Sequence, residues 1–141
     1  MNGFVNIPEA ASLAFHGMGL LAAGGQRMNV REMAEVTGAS EAHLAKVFQR
    51  LLKAGLVSSE RGPRGGYELA RDPAEISLLD IYTAIEGAPQ TGGFCLIHAE
   101  KCPFGHCLFG DLPGQMNQAL AEHLARTALN GLRKGDGHDE F

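Results

Sequence analysis

The sequence predicts a mainly α-helical protein with one small β-hairpin. Apolar residues recur at helical spacing over residues 8–23, 29–37 and 40–54, and a glycine follows each of these segments. The Gly- and Pro-rich turn RGPRGG, at residues 61–66, separates two short strand-like runs, LVSSE and YELAR. Leucine, methionine and alanine then repeat every four residues over 112–132, which predicts a long C-terminal helix.

Local signals mark where these helices begin and which faces they bury. Pro8 suits the first turn of the first helix. In the second helix the spacing places Val36 with its apolar neighbours on the inner face. Ser40 is the expected N-cap of the third helix. A fourth helix, in DPAEISLLDIYTAIEG, is expected to begin with Ser77 as N-cap and Asp80 in the capping-box position.

The third helix has two contrasting faces. One is an apolar stripe made of Leu44, Val47, Phe48, Leu51 and Leu52. The other is polar and basic, with His43, Lys46, Arg50 and Lys53 at helical spacing and Gln49 beside them. Most helices carry a charged face for solvation alone. The order helix, turn, helix and arginine-bearing hairpin instead predicts a winged helix-turn-helix whose third helix enters the major groove of DNA.

The hairpin tip is the predicted second contact with DNA. It carries Arg61, Pro63, Arg64 and Gly65, which we expect to straddle the backbone or the minor groove. Charge supports this placement although the chain is acidic overall, at −4. Residues 40–71 hold six basic and three acidic side chains, so this segment is locally +3 and the remainder is −7. A localised basic face on an acidic protein is typical of nucleic-acid binding.

All three cysteines of the chain, Cys95, Cys102 and Cys107, fall in the segment FCLIHAEKCPFGHCLFG. In a reducing cytosol, clustered thiols in odd number favour metal ligation or redox chemistry over a structural disulfide framework. Thiolates are soft ligands that suit an iron–sulfur cluster, zinc or copper(I). The residues themselves leave a cluster, zinc and a thiol–disulfide switch open.

These features divide the chain into four predicted parts. Residues 1–88 form the winged helix-turn-helix, 89–113 the cysteine-containing loop, 114–134 a dimerisation helix and 135–141 a disordered tail. The final helix is expected over 115–133. Its broad apolar band could pack on its own domain or on a partner; we favour a dimer interface, because DNA readers commonly pair through a two-fold axis.

Other classes of protein fit the sequence poorly. It holds no nucleophile elbow, phosphate loop or paired-carboxylate arrangement, so we expect no enzymatic activity. The N-terminal apolar run contains Pro8 and Glu9 and is too short and broken for a signal peptide or a membrane span. We therefore expect a cytoplasmic protein that does not enter the membrane.

The segment LLKAGLVSSERGPRGGYELARDPAEISLLDI, followed by the three-cysteine loop and the long terminal helix, resembles a known family. It is similar to the bacterial winged-helix regulators of the iron–sulfur cluster regulator (IscR-like) and nitric-oxide-sensitive repressor (NsrR-like) family. The resemblance runs from the first helix to about Arg133. It implies a homodimer that binds palindromic double-stranded DNA, with a [2Fe–2S] or [4Fe–4S] cluster in each subunit that sets the DNA affinity.

The fourth ligand of such a cluster does not carry over directly. The cysteine spacing departs from that of the cluster-regulator branch, and Gly110 stands where that branch has a histidine. In the nitric-oxide-sensitive branch an acidic residue from the partner's first helix completes the site, and that position is Ser12 here. The resemblance to other relatives implies His16 as the fourth ligand, from the same or from the partner subunit, with Glu9 as the alternative. His98 and His106, inside the loop, are further alternatives.

The family's DNA contacts carry over only in part. Ser40, Ala42, His43, Lys46 and Arg61 occupy positions that resemble base- or backbone-contacting sites, whereas Ala45 replaces a glutamate that some members use to discriminate bases. Two other functions stay open beside the cluster-controlled regulator. One is a cluster-free thiol-switch regulator of the same family, and the other is a zinc-stabilised module that binds proteins.

Overall fold

The computed structural model describes residues 4–63, 65–90 and 92–132, and it confirms the mainly helical class with one hairpin. The elements, in order, are α1 (Glu9–Gly24), α2 (Val30–Thr37), α3 (Glu41–Lys53), β1 (Val57–Glu60), β2 (Gly66–Leu69), a 3₁₀ turn (Pro73–Glu75), α4 (Leu78–Glu86) and α5 (Leu112–Arg126). No helix within the described ranges is long and apolar enough to cross a membrane.

The capping signals read from the sequence determine where α3 and α4 begin. The Ser40 hydroxyl accepts a hydrogen bond from the backbone N–H of His43, at 3.3 Å. At α4 the capping box is complete, because Asp80 N–H donates to the Ser77 hydroxyl and Ser77 N–H donates to the Asp80 carboxylate. These bonds satisfy backbone donors that a helix start otherwise leaves unpaired, so the direction of each helix is set locally.

Three helices, α1, α3 and α4, surround the core, and α1 and α3 approach each other closely at Gly17. A Cβ added to Gly17 would lie 2.5 Å from Cε2 of Phe48, whose side chain is fully buried. Only glycine therefore allows the two backbones to pack at this distance. The packing holds the apolar stripe of α3 inward, and so its polar face outward, as the sequence predicted.

The wing is a two-stranded sheet that one further bridge joins to the connection between α1 and α2. Strands β1 and β2 pair antiparallel, with Val57 opposite Leu69 and Glu60 opposite Gly66. The connection between α1 and α2 adds a further pairing, because Met28 and Tyr67 exchange both backbone hydrogen bonds, at 3.0 and 2.7 Å. The aromatic ring of Tyr67 packs on Phe48, with 5.0 Å between ring centroids. The wing is thus attached both to α3 and to the start of α2.

Two expectations about helix faces and ends are wrong. Val36, predicted to face inward, is 61% exposed, because the buried side of α2 is formed around Met33 instead. The last helix begins at Leu112 and ends at Arg126, not at 115 and 133. Residue 133 and the predicted tail, 135–141, lie outside the described residues.

The early end of α5 has a tertiary cause. After the helix the chain returns to α4, where Leu129 N–H donates to Ile76 O at 3.0 Å and Leu78 N–H donates to Thr127 O at 2.9 Å. This pairing buries Leu129 to 1% exposure in the core. An extension of α5 would keep Leu129 out of the core. Burying a leucine side chain contributes about 2 kcal/mol, which is more than helix propensity contributes at any one of these positions.

Candidate DNA interface and thiol loop

The exposed face of α3 carries four of the five polar residues predicted for it, Lys46, Gln49, Arg50 and Lys53. Ala42, Lys46, Gln49 and Lys53 are exposed and follow each other at spacings of four, three and four residues. His43 is half-buried and Ser40, which caps the helix, is exposed. The structure therefore brings most of the predicted DNA contacts together along one face, with two lysines pointing away from the core.

Two predicted contact residues make bonds within the protein. The Arg50 guanidinium donates to the backbone carbonyl of Ile85 at 3.2 Å, near the C-terminal end of α4. Since that end of a helix carries partial negative charge, this bond stabilises the packing of α3 on α4. The Gln49 side chain donates to the Tyr67 hydroxyl at 3.2 Å and so joins α3 to the wing.

The start of α1 lies beside the start of α3. One oxygen of the Glu9 carboxylate is 3.7 Å from Nδ1 of His43, and the Glu9 side chain is 79% exposed. Glu9, the predicted alternative ligand, therefore lies beside α3 of its own chain, whereas His16, the predicted fourth ligand, lies two turns further along α1.

The wing tip is shaped by glycine. A Cβ on Gly65 would lie 2.5 Å from the Glu60 carbonyl oxygen, so the turn closes only without a side chain there. Arg61 and Pro63 are exposed, and Gly65 is half-buried. Arg64, the remaining predicted tip residue, lies outside the described part of the chain.

Sequence reasoning missed Arg27, which bonds to both glutamates of the wing. Its guanidinium donates to Glu60 at 2.8 Å and to Glu68 at 3.1 Å. The signal that could have found it is the pairing of Met28 with Tyr67. In an antiparallel sheet that pairing sets Arg27 beside Glu68. No sequence pattern predicts the pairing, because the two residues come from separate segments of the chain.

The cysteine segment is an exposed loop. Every residue from 92 to 112 is exposed, and Cys95, Cys102 and Cys107 are free thiols. Hydrogen bonds from the backbone N–H groups of Ala99 and Ile97, with a smaller contribution from His98, lower the pKa of the Cys95 thiol, and slight desolvation opposes them. His98, within this turn, has a positive φ of +50°.

The three thiols do not converge on one point within the described chain. Within residues 4–63, 65–90 and 92–132, no three His, Cys, Asp or Glu side chains converge closely enough to hold a metal ion. His98 and His106 are exposed like the rest of the loop.

His16, on α1, is oriented by its own helix. Its Nδ1 donates to the backbone carbonyl of Ser12 at 2.7 Å, since a carbonyl can only accept. In the neutral ring this leaves Nε2 unprotonated and available as a ligand, the arrangement typical of metal-binding histidines. The side chain is exposed and borders an apolar groove of about 730 Å³, whose walls include Leu13, Leu20, Val36 and Leu132.

A helix-turn-helix with two lysines on the open face of its second helix, followed by an arginine-bearing hairpin, defines a winged helix-turn-helix, a fold class typical of DNA-binding proteins. Residues 7–134 match the family model Rrf2, described as an iron-dependent transcriptional regulator. The chain belongs to the Rrf2 family of DNA-binding transcriptional regulators. Since this is a family of regulators, the match confirms the resemblance read from the sequence and the expectation that the protein is not an enzyme.

Curated relatives and solved structures agree with this membership. The HTH-type transcriptional regulator IscR of Escherichia coli (strain K12 / DH10B) is 38% identical over 79 residues, covering 48% of this chain and 49% of the relative. The chain thus spans about half the length of the curated relatives it matches.

Two solved structures resemble the fold over most of the chain. CymR, the global cysteine regulator of B. subtilis, superposes with a TM-score of 0.73 at 27% identity, covering 92% of this chain and 96% of that one. IscR of T. potens superposes with a TM-score of 0.67 at 26% identity, covering 89% and 84%.

Proposed function

We propose that this protein is a homodimeric transcription regulator whose affinity for a palindromic operator is set by an iron–sulfur cluster. Cys95, Cys102 and Cys107 hold the cluster, and His16 of the partner subunit is its fourth ligand. The observation that carries the proposal is the loop itself, which exposes three free thiols beside large apolar side chains.

The loop has the surface of an interface. Its exposed apolar side chains are Phe94, Leu96, Ile97, Phe104, Leu108, Phe109 and Leu112. So many large apolar side chains exposed within one short segment are uncommon on a free monomer and favour a site that a partner covers. The groove beside His16 is also apolar, so its surface suits the apolar side chains of the loop. In a two-fold dimer each loop meets the other subunit's groove, which brings His16 to the partner's thiols.

The donor set fits an iron–sulfur cluster. Three exposed thiols supply soft ligands, and the amides around Cys95 favour its thiolate, the form that binds metal. When bound, the cluster supplies a centre sensitive to oxidation and to nitric oxide. His16 is preferred over Glu9 because its Nε2 is free, whereas the Glu9 carboxylate lies beside His43.

DNA is read by α3 and the wing in this proposal. Ser40, Ala42, His43, Lys46, Gln49 and Lys53 face the major groove, and Arg61, Pro63, Arg64 and Gly65 of the wing face the phosphate backbone. Exposure of the lysines and of Arg61 supports these roles. Arg50 contributes by holding α3 against α4, because its guanidinium is bonded to Ile85 O.

Helix α1 links the two sites. It carries His16 on the groove and Glu9 beside His43 of α3. A change at the thiol loop that pulls or releases the partner's α1 therefore shifts the spacing of the two recognition helices. Such a shift changes the population of binding-competent dimers and therefore the affinity for DNA.

The first test is iron and sulfide content with visible absorption, on protein purified without oxygen. Stoichiometric iron and sulfide with a charge-transfer band supports the proposal. Colourless protein that holds zinc or no metal, even after attempted reconstitution, would contradict the cluster proposal and favour the zinc module or the thiol switch. The lowered pKa of Cys95 is the observation that favours the thiol switch as second candidate.

Two pairs of variants then test the ligand and the coupling. His16→Ala is expected to fold normally but to lose its cluster quickly, whereas the matched variant His106→Ala retains it. Cys102→Ala is expected to differ in operator affinity from cluster-loaded wild type at the same salt concentration. Equal affinity would remove the coupling while leaving the DNA-binding assignment intact.

A further inference from the structure

We propose that Arg27 is a positioning residue that holds the wing in place and offsets the two wing carboxylates, so that the hairpin meets DNA with net positive charge. The inference rests on the proposed contact between the wing and the phosphate backbone. It assigns a role to a residue outside both the recognition helix and the hairpin.

The geometry begins with the sheet register. Met28 pairs with Tyr67, which sets Arg27 beside Glu68 on the face opposite the core. Glu60 is opposite Gly66 and therefore diagonal to Glu68 on that same face. The Arg27 guanidinium reaches both, with Nη1 2.8 Å from a Glu60 oxygen and Nη2 3.1 Å from a Glu68 oxygen. One cation thus joins both strands to the α1–α2 connection.

Close backbone contact makes this attachment rigid. A Cβ on Gly66 would lie 2.6 Å from the Met28 carbonyl oxygen, and its φ of +144° also suits glycine. The Arg27 side chain is only 27% exposed, and its Nε has no hydrogen-bond partner among the described residues. A cation buried to this extent needs nearby anions, which Glu60 and Glu68 provide.

The charge on the hairpin explains why such a clamp matters for binding. Residues 60–68, ERGPRGGYE, hold two arginines and two glutamates, which formally cancel. Glu60 immediately precedes Arg61 at the tip, so an uncompensated carboxylate there repels the phosphates that Arg61 approaches. Arg27 offsets this repulsion and leaves the hairpin with one net positive charge. Affinity for DNA phosphates depends on such local charge and on salt.

The test is a thermodynamic cycle on DNA affinity. A labelled mixed-sequence duplex is titrated with protein over a series of salt concentrations. Arg27→Gln is expected to weaken binding about tenfold at low salt, with the loss shrinking as salt rises. In the E60Q/E68Q background the same change is expected to alter affinity by less than about twofold, because no carboxylate remains to be offset. An equal loss in both backgrounds overturns the proposal.

A second readout covers the case in which Arg27→Gln fails to fold. E60Q/E68Q removes both negative charges, but the glutamine amide oxygens can still accept hydrogen bonds from the Arg27 guanidinium and so keep the wing attached. This variant is therefore expected to bind the duplex more tightly than wild type and with a salt slope steeper by up to about one. Unchanged or weaker binding overturns the proposal, because a merely structural clamp would not steepen the slope. Arg61→Gln distinguishes failure of the proposed contact between the wing and DNA from failure of the proposed role of Arg27. If it has no effect, the wing's proposed contact with DNA fails; if it weakens binding while Arg27→Gln does not, only the present inference fails.

Discussion

Gly17→Ala adds one methyl group at the contact between α1 and α3. The new Cβ would lie 2.5 Å from Cε2 and 2.7 Å from Cζ of Phe48, about 1 Å inside ordinary contact. Phe48 cannot swing away, because its side chain is fully buried and packed on Tyr67. The strain falls in the range for overpacked cores, about 1–3 kcal/mol, and close to its upper end because the ring is enclosed.

A gain in helix propensity opposes this strain. Replacing glycine by alanine inside a helix stabilises it by about 1 kcal/mol. The expected net effect is therefore a loss of about 2 kcal/mol in the free energy of unfolding, or a Tm lower by roughly 5–10 °C. Urea and thermal unfolding of the metal-free protein, followed by circular dichroism at fixed protein concentration, measure both quantities.

Two controls isolate the contact from the helix. Gly24→Ala lies on the same helix with nothing within 4 Å of its new Cβ, so it is expected to be neutral or stabilising by at most about 1 kcal/mol. In a Phe48→Leu background, Gly17→Ala should lose most of its cost, since the ring that it meets is gone. A Gly17→Ala protein as stable as wild type would refute this account of the α1–α3 contact.

Four further predictions address the segment that follows α5, the exposed face of α3 and the thiol loop. Leu129→Ala is expected to lower the free energy of unfolding by about 3 kcal/mol, measured in urea, because a fully buried leucine is truncated. Lys46→Gln is expected to reduce the salt slope of DNA binding by about one with unchanged stability. Arg50→Gln should leave the slope unchanged but cost about 1 kcal/mol of stability through its lost bond to Ile85 O. Since the pKa of Cys95 is lowered, its rate of alkylation, followed by mass spectrometry on metal-free protein, should rise at lower pH in the folded chain than in the urea-unfolded chain; coinciding pH profiles would contradict this.

Features that depend on local sequence were predictable. The caps at Ser40 and Ser77, the capping-box role of Asp80 and the glycine-rich hairpin turn all act within a few residues of the chain. The backbone groups that they satisfy belong to their own helix or turn. The sequence therefore predicted the helix-turn-helix and the wing with nearly correct bounds.

Features that depend on distant partners were not predictable. The end of α5 is set by pairing with Ile76, and periodicity cannot reveal a competitor some fifty residues away. Arg50 and Gln49 are neighbours on α3, and only the position of α4 decides which of them bonds to Ile85. The dimer that would gather the three thiols depends on a second chain, so those ligand assignments remain proposals.

The return of the chain at Leu129 has a consequence for the order in which the protein is made. Leu129 completes the core that supports α3, yet residues 78–127, which include all three cysteines, are synthesised before it. Since chains emerge from the ribosome N-terminus first, the half that contains α3 cannot complete its core until the thiol loop has been synthesised. A nascent chain therefore acquires its full ability to hold the recognition helix only after it carries the residues proposed to control that helix.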